Sequence, residues 1–496
     1  MGVIRRQSIK TSLLSYAGVG FGYLNVILLF PSILSAEEFG LTRVMVAVVT
    51  IGSQFALLGS GNSIIRFFPE FKNHGNGHRG LLRLGLVLSA IGFSIISALL
   101  IAMKPWLIQH YSERSALVVN HFVLIIPFLG VEVLFQVFRS YSRALLHSVI
   151  NIALKEVVLR SLTTLLLVAV FFGLVSFDTF ILLFVAQYGL ITLILAGYLI
   201  GIGEFFNGLK LHALSPELKK RMATYSLFAI LSNTSALFVM NIDVMMINEM
   251  IGLEFVAFYT VAFYVVSFIN IPRGAILNIA LPLVSEAWKN KDINKIHEIY
   301  QKSSINQLTI GILFFIGIWA NQESLFKMLP PAYATGKWVL FSVGIARLID
   351  IGFGINGAII ANTSHYKYET YFGIGLMVVS VILNLIFIPP WGITGAALAT
   401  GTSLLILNLC RYSLLRSKLG IGPFSTKSIL AILIGVFAYG LSLFIPAMEN
   451  MIVDLVVRST VITVVFVPLA IVLKLSEDGN QLLFAWWRKL IGLIKQ

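Results

Sequence analysis

The stretch that most constrains this chain is residues 255–286, predominantly apolar, with Asn270-Ile271-Pro272-Arg273-Gly274 in its interior. About 20 apolar residues cross the hydrocarbon of a bilayer, so this run exceeds one crossing. A cation well inside it costs about 3 kcal/mol or more, so Arg273 is expected to face a partner or a wet cavity, not lipid. Pro272 lacks a helix donor and Gly274 adds backbone freedom, which makes these two the candidate hinge. A charged, breakable helix in a membrane points to a moving wall around a polar path.

The rest of the chain has the same character. Of its 496 residues 58% are hydrophobic and only 12% charged, about half the charge of an ordinary soluble domain. The expected class is therefore an all-α polytopic membrane protein, since only helices satisfy every backbone group within such segments. Fourteen apolar runs read as spans, near 12–34, 41–62, 84–103, 116–138, 157–175, 179–202, 223–248, 255–284, 305–320, 338–360, 370–388, 393–412, 428–447 and 452–473. Arg5-Arg6 precedes a full-length span, which is read as the first transmembrane helix and not as a cleaved signal.

Basic residues orient the spans. With the N-terminus cytoplasmic, 28 of the 36 Lys and Arg residues fall in cytoplasmic connections. The remaining eight are Arg43, Lys104, Arg114, Arg273, Lys327, Lys337, Arg347 and Arg458. This bias places both termini in the cytoplasm and accounts for the +14 net charge without nucleic acid as a partner. The opposite connections are short, as at Ser35-Ala36-Glu37-Glu38 and Pro389-Pro390-Trp391-Gly392.

An acidic-aromatic turn opens the second span (Glu38-Phe39-Gly40) and the eighth (Glu254-Phe255-Val256). Spans six apart run in the same direction, so the halves read as parallel pseudo-repeats with a site between them. The expected organisation is an N-terminal lobe of six helices at 1–222 and a C-terminal lobe of six at 223–427. Helices 13 and 14 with a cytoplasmic tail follow at 428–496.

Polar residues within the spans are the candidate functional groups. Asn62 and Arg66 lie one turn apart at the cytoplasmic end of the second span, either a snorkelling boundary or the inner mouth of a cavity. Glu132, in the fourth span after Pro127, is either hydrogen-bonded inside the bundle or a proton carrier. Asp243, near the outer end of the seventh span, is either solvated or capping a neighbour, or a coupling-ion ligand. Arg347 and Asp350, at i and i+3, form a local ion pair or line a cavity. Asn25, Gln54, Asn233, Asn278, Asn356 and Asn384 read mainly as interhelical glue.

Enzyme signatures are missing, and the chain is expected not to be an enzyme. Its eight His residues and single Cys410 have no metal spacing. No Walker loop, nucleophile elbow or dinucleotide fingerprint stands in a suitable setting. No cofactor or metal is expected, and transport would run on a proton or sodium gradient or on the substrate's own.

Several strings carry a family likeness: Glu38-Phe39-Gly40, Leu58-Gly59-Ser60-Gly61-Asn62-Ser63-Ile64-Ile65-Arg66-Phe67-Phe68-Pro69-Glu70, Ile242-Asp243-Val244-Met245-Met246-Ile247, and Gly392-Ile393-Thr394-Gly395-Ala396-Ala397-Leu398-Ala399-Thr400, with Pro272 and Pro282 between them. In this order the chain resembles the polysaccharide-transporter (O-antigen and oligosaccharide flippase) branch of the multidrug/oligosaccharidyl-lipid/polysaccharide flippase superfamily. That resemblance implies two six-helix lobes around a cavity that opens alternately to each side of the bacterial inner membrane. It implies movement of undecaprenyl-diphosphate-linked oligosaccharide to the periplasmic leaflet, for O-antigen, capsule or exopolysaccharide assembly. The partners implied are that lipid-linked oligosaccharide, membrane lipids, and a glycan polymerase or glycosyltransferase, with the protein itself a monomer. Arg273, Arg347, Arg66 and Asn62 would then bind substrate, and Asp350, Asp243 and Glu132 would be the ion-coupling candidates. An ion-coupled multidrug exporter of the same superfamily is the alternative, and a membrane glycan polymerase a more distant one.

Overall fold

Ser35 starts the second span as a reciprocal cap. Its Oγ accepts from the Glu38 N–H at 3.2 Å while Glu38 Oε2 accepts from the Ser35 N–H at 2.8 Å. Phe39 behind it is fully buried and stacks on Phe30, centroids 4.7 Å apart. At Gly40 an added Cβ would stand 2.1 Å from the Leu253 carbonyl oxygen. The Glu-Phe-Gly string is thus cap, core and close approach in consecutive residues, and it meets the turn that opens the eighth span.

The computed structural model describes residues 2–71, 80–111, 115–204, 215–446, 448–477 and 479–480, and among these the regular structure is helical throughout. The tail beyond 480, Arg114 and the Asn233 side chain lie outside the described residues. The chain divides by contacts into two compact units, Met1–Thr260 and Val261–Gln496.

The first unit runs α1 (Gly2–Tyr23), a π-helical stretch Leu24–Leu29, α2 (Phe30–Ile33), α3 (Ala36–Ala56), α4 (Ser60–Phe71), α5 (Leu81–Tyr111) and α6 (Ala116–Ala144). It continues with α7 (Ser148–Ile152), a second π-helical stretch Ala153–Val158, α8 (Leu159–Phe171), α9 (Phe177–Gly201), α10 (Pro216–Met250) and the start of α11 (Leu253–Val266). The lobes drawn on spans divide at 222–223, whereas by contacts α10 packs along α3 and α4.

The second unit takes the end of α11, a 3-10 turn Ser267–Asn270, α12 (Ile271–Lys289), α13 (Ile293–Ala320), α14 (Gln322–Lys327), a 3-10 turn Pro331–Gly336, α15 (Lys337–Gly352) and α16 (Asn356–Ala361). Then come α17 (Tyr366–Leu419), α18 (Thr426–Ser442) and α19 (Met451–Val472). Gly392 inside α17 has φ 55° and ψ −136°, so 366–391 and 393–419 are two helices across a kink. Only glycine adopts that backbone without strain, and Pro389 and Pro390 lie just before it.

Among the described residues nine helical stretches are long and apolar enough to cross a membrane by length and composition, against the fourteen runs read from sequence. Part of the difference is that apolar runs are interrupted. The second span, still counted as Ala36–Ala56, ends at a break between α3 and α4, where Leu58 and Gly59 take positive φ of 47° and 73°. The tenth breaks between α15 and α16, where Gly354 has φ 64°. Apolar composition persists through such breaks, so hydropathy reads straight across them. These helices make the chain a multi-pass membrane protein.

Candidate functional site

The break in the eighth span lies one turn earlier than its proline. The chain leaves the α geometry at the 3-10 turn Ser267–Asn270, and Pro272 stands in the first turn of α12. A proline there forfeits no helix bond, because that N–H has no intrahelical acceptor anyway. Pro272 therefore starts the second half of the span and does not weaken its middle. Gly274 is exposed, and an added Cβ would meet nothing within 4 Å.

Arg273 follows in the first turn of α12 and pairs with Asp350 at the end of α15. The guanidinium side chain is 29% exposed while the carboxylate is 6% exposed, so the pair is open on its arginine side. Asp350 Oδ1 accepts from Asn408 Nδ2 at 3.0 Å, and Asn408 Oδ1 accepts from Asn356 Nδ2 at 2.7 Å. The remaining Asn356 oxygen accepts from the Gly357 N–H at 2.6 Å. A buried carboxylate needs this, since its desolvation is recovered only when its lone pairs are filled.

The same row of groups extends further. Arg411, one turn beyond Asn408 on α17, pairs with Glu369, with Arg411 Nε donating to Glu369 Oε2 at 3.1 Å. A Cβ on Gly357 would come within 3.0 Å of the Arg411 Cζ. Arg273, Asp350, Asn408, Asn356, Arg411 and Glu369 thus form one polar row through an apolar unit. Arg347 is half-buried one turn before Asp350, with its Cζ 5.1 Å from the centre of the Phe263 ring, a cation–π contact. Asp350 turns to a cation on another helix, although Arg347 is its neighbour in sequence.

An apolar groove of about 1000 Å³ runs beside this row, between α13, α15 and α18, lined among others by Leu308, Phe315, Leu348, Phe424 and Ile432. Its wall on α15 is the same helix that carries Arg347 and Asp350.

The other candidates belong to the first unit. Glu132 is buried and accepts from Lys155 Nζ at 2.9 Å and Gln136 Nε2 at 2.7 Å. Lys155 sits on the π-helical stretch Ala153–Val158. Beside it Glu156 pairs with Arg160 at 2.7 Å, and Arg160 also donates to the Gly18 carbonyl of α1. Asn25, on the other π-helical stretch, donates to the Arg160 carbonyl at 2.8 Å and accepts from Thr164 Oγ1 at 2.7 Å. Asp243 is buried, not solvated, and accepts from Tyr259 Oη at 2.6 Å. Asn62 is half-buried on α4, and Arg66 one turn later is exposed, while the opposite side of α4 buries Ile64, Phe67, Phe68 and Phe71.

Sequence reasoning passed over Asn408, Glu369, Arg411, Lys155 and Gln136. Glu369, Arg411 and Lys155 fall at the edges of apolar runs and were counted as connections. The signals that point to them are spacings: Asn408 and Arg411 at i and i+3, Glu132 and Gln136 at i and i+4.

The fold and this charged interior define a class, the multi-helical membrane proteins. The chain resembles the solved structure of lipid II flippase MurJ in an inward closed conformation, with TM-score 0.71 at 13% identity over 94% of this chain and 98% of that one. An inward-facing multidrug resistance MATE family transporter of the MOP superfamily follows, with TM-score 0.64 at 14% identity over 82% and 94%. A mutant of the Vibrio cholerae MATE transporter VcmN gives 0.54 at 13% identity over 84% and 99%. None of the curated proteins matches the sequence. The family profile described as polysaccharide biosynthesis protein matches residues 4–288, more than half of the chain. The chain belongs to that family.

Proposed function

We infer that this protein is a flippase for undecaprenyl-diphosphate-linked oligosaccharide. It carries its substrate from the cytoplasmic to the periplasmic leaflet of the bacterial inner membrane by alternating access, for surface polysaccharide assembly. The observation that carries this is Arg273 in the first turn of a broken membrane helix, paired on one side and open on the other, with Arg347 on the neighbouring wall. Two guanidiniums against one carboxylate suit a diphosphate, which offers planar, bidentate acceptors. The groove beside α15 suits an isoprenoid tail, which gains by burial of each methylene. Asp350 holds Arg273 until the diphosphate replaces it, and protonation of Asp350 is the step through which an ion gradient would act.

The test is complementation of a bacterial strain lacking its own glycan flippase. Wild type restores surface glycan, and Arg273→Ala and Arg347→Ala, expressed at wild-type levels, do not. Intact glycan assembly in both variants would sink the assignment of these residues.

A second reading, an ion-coupled exporter of organic cations, is favoured by the buried carboxylates Glu132 and Asp243 of the first unit. It predicts resistance to cationic dyes on overexpression, lost in Asp243→Asn. A glycan polymerase would instead release free polyprenyl diphosphate.

A further inference from the structure

A second cavity of about 250 Å³ lies in the second unit at the connection between α13 and α15, lined by Trp319, Glu323, Lys327, Lys337, Tyr439 and Arg458 among others. The 28 residues of α13 separate it from the α12–α13 turn, about 40 Å at helical rise. It is therefore at the end of the unit opposite the basic connection 285–304.

Its walls are fixed by charges that are already used. Asp454 is buried and accepts from Ser324 Oγ at 2.8 Å, from Arg458 Nε at 2.9 and 3.0 Å, and from the Met448 N–H at 3.3 Å. Arg458 also donates from Nη1 to the Ser442 carbonyl at 3.1 Å and from Nη2 to the Ile445 carbonyl at 3.0 Å. This lock ties α14, α18 and α19 together and is electrically neutral.

Lys327, Lys337 and Glu323 remain as the charged lining. Neither lysine forms an ion pair among the described residues. The Lys337 ammonium stands 5.9 Å from the centre of the Trp319 ring. Only eight of the 36 basic residues lie outside the connections expected to be cytoplasmic, and two of them, Lys327 and Lys337, line this one cavity outside the neutral Asp454–Arg458 lock. Cations on that side run against the orientation rule, so their convergence needs a reason of its own.

We propose that this cavity binds a phosphate group of head-group size, held by Lys327 and Lys337 with Trp319 against its organic portion. An ammonium is a compact point charge suited to phosphate, and an indole is at home where apolar and wet surroundings meet. The volume is below the usual range for drug-sized ligands, which excludes a whole oligosaccharide. The site is independent of Arg273 and of the transported substrate.

The test uses the full chain purified in neutral detergent, titrated with short-chain phosphatidylglycerol, with sodium phosphate and with sodium pyrophosphate. Bound ligand is read by native mass spectrometry and by the shift in thermal unfolding midpoint. Phosphatidylglycerol is expected to bind. Affinity should fall about 10–100-fold in Lys327→Gln/Lys337→Gln, the loss of two charge-assisted contacts. Lys327→Arg/Lys337→Arg should retain binding, and Arg273→Ala should leave it unchanged. Competition by free phosphate or pyrophosphate at equal potency supports the site with a soluble anion as its source. Binding of the lipid alone supports it with a membrane head group as the source. Binding by the double Gln variant equal to wild type, or no binding of any of the three, overturns the proposal.

Discussion

The two units handle their interior charges differently. In the first, Glu132 with Lys155 and Glu156 with Arg160 match carboxylate to cation, and the surrounding amides and hydroxyls close on the same groups. In the second, Arg411 with Glu369 and Arg458 with Asp454 are matched in the same way, but Arg273 and Arg347 share a neighbourhood with one carboxylate, Asp350. Matched pairs are what helix packing in lipid needs, because an isolated charge there is costly. Two guanidiniums beside one carboxylate are the arrangement that the proposed binding of a diphosphate would use.

The largest effect should come from removing Arg273. Arg273→Ala is expected to reduce flux of lipid-linked glycan about 10–100-fold, the worth of a charged hydrogen-bond set to a diphosphate, measured by glycan assembly at matched expression. A comparable loss from Lys155→Met would erase the contrast between the units.

Asp350→Asn should lower unfolding stability by about 3 kcal/mol, since it leaves a partly buried guanidinium without its charge partner. Arg273→Met/Asp350→Asn should recover most of that stability but no transport. The parallel pair in the first unit, Lys155→Met/Glu132→Gln, should recover both. Denaturation in detergent beside the complementation assay reads the two quantities separately.

Backbone approach gives a smaller contrast. A Cβ on Gly395 would stand 1.9 Å from the Phe387 carbonyl oxygen, so Gly395→Ala should cost about 1–3 kcal/mol by overpacking. Gly274→Ala, with open space around it, should leave stability within about 1 kcal/mol or raise it. If transport slows in Gly274→Ala while stability holds, residue 274 is a hinge. If both are unchanged, the bend belongs to the Ser267–Asn270 turn alone.

The smallest effect is expected at Lys427 and Glu477, 3.0 Å apart at the start of α18. The hydrogen bond from Lys427 holds the Glu477 carboxyl below its usual range. A depressed carboxyl contributes stability above its unfolded pKa and loses it as pH falls through the folded value. Lys427→Gln should therefore lower the thermal midpoint slightly at pH 7 and leave it unchanged in acid.

By itself the sequence determined the membrane class, the helical backbone, most span positions and the presence of charges at Arg273 and Asp350 inside apolar runs. These follow from local quantities, the hydropathy of a run and the cost of a charge inside it. It also carried the Glu38-Phe39-Gly40 string, although the reason for Gly40, the carbonyl of Leu253, is more than 200 residues away. Only the tertiary structure decided that Asp350 answers Arg273 on another helix, that Glu132 is matched by Lys155, and that Asn408 and Arg411 join the polar row. It also moved the bend of the eighth span ahead of Pro272. Partner choice between helices depends on packing that no local window contains, and a break in a helix keeps the apolar composition of the run it interrupts.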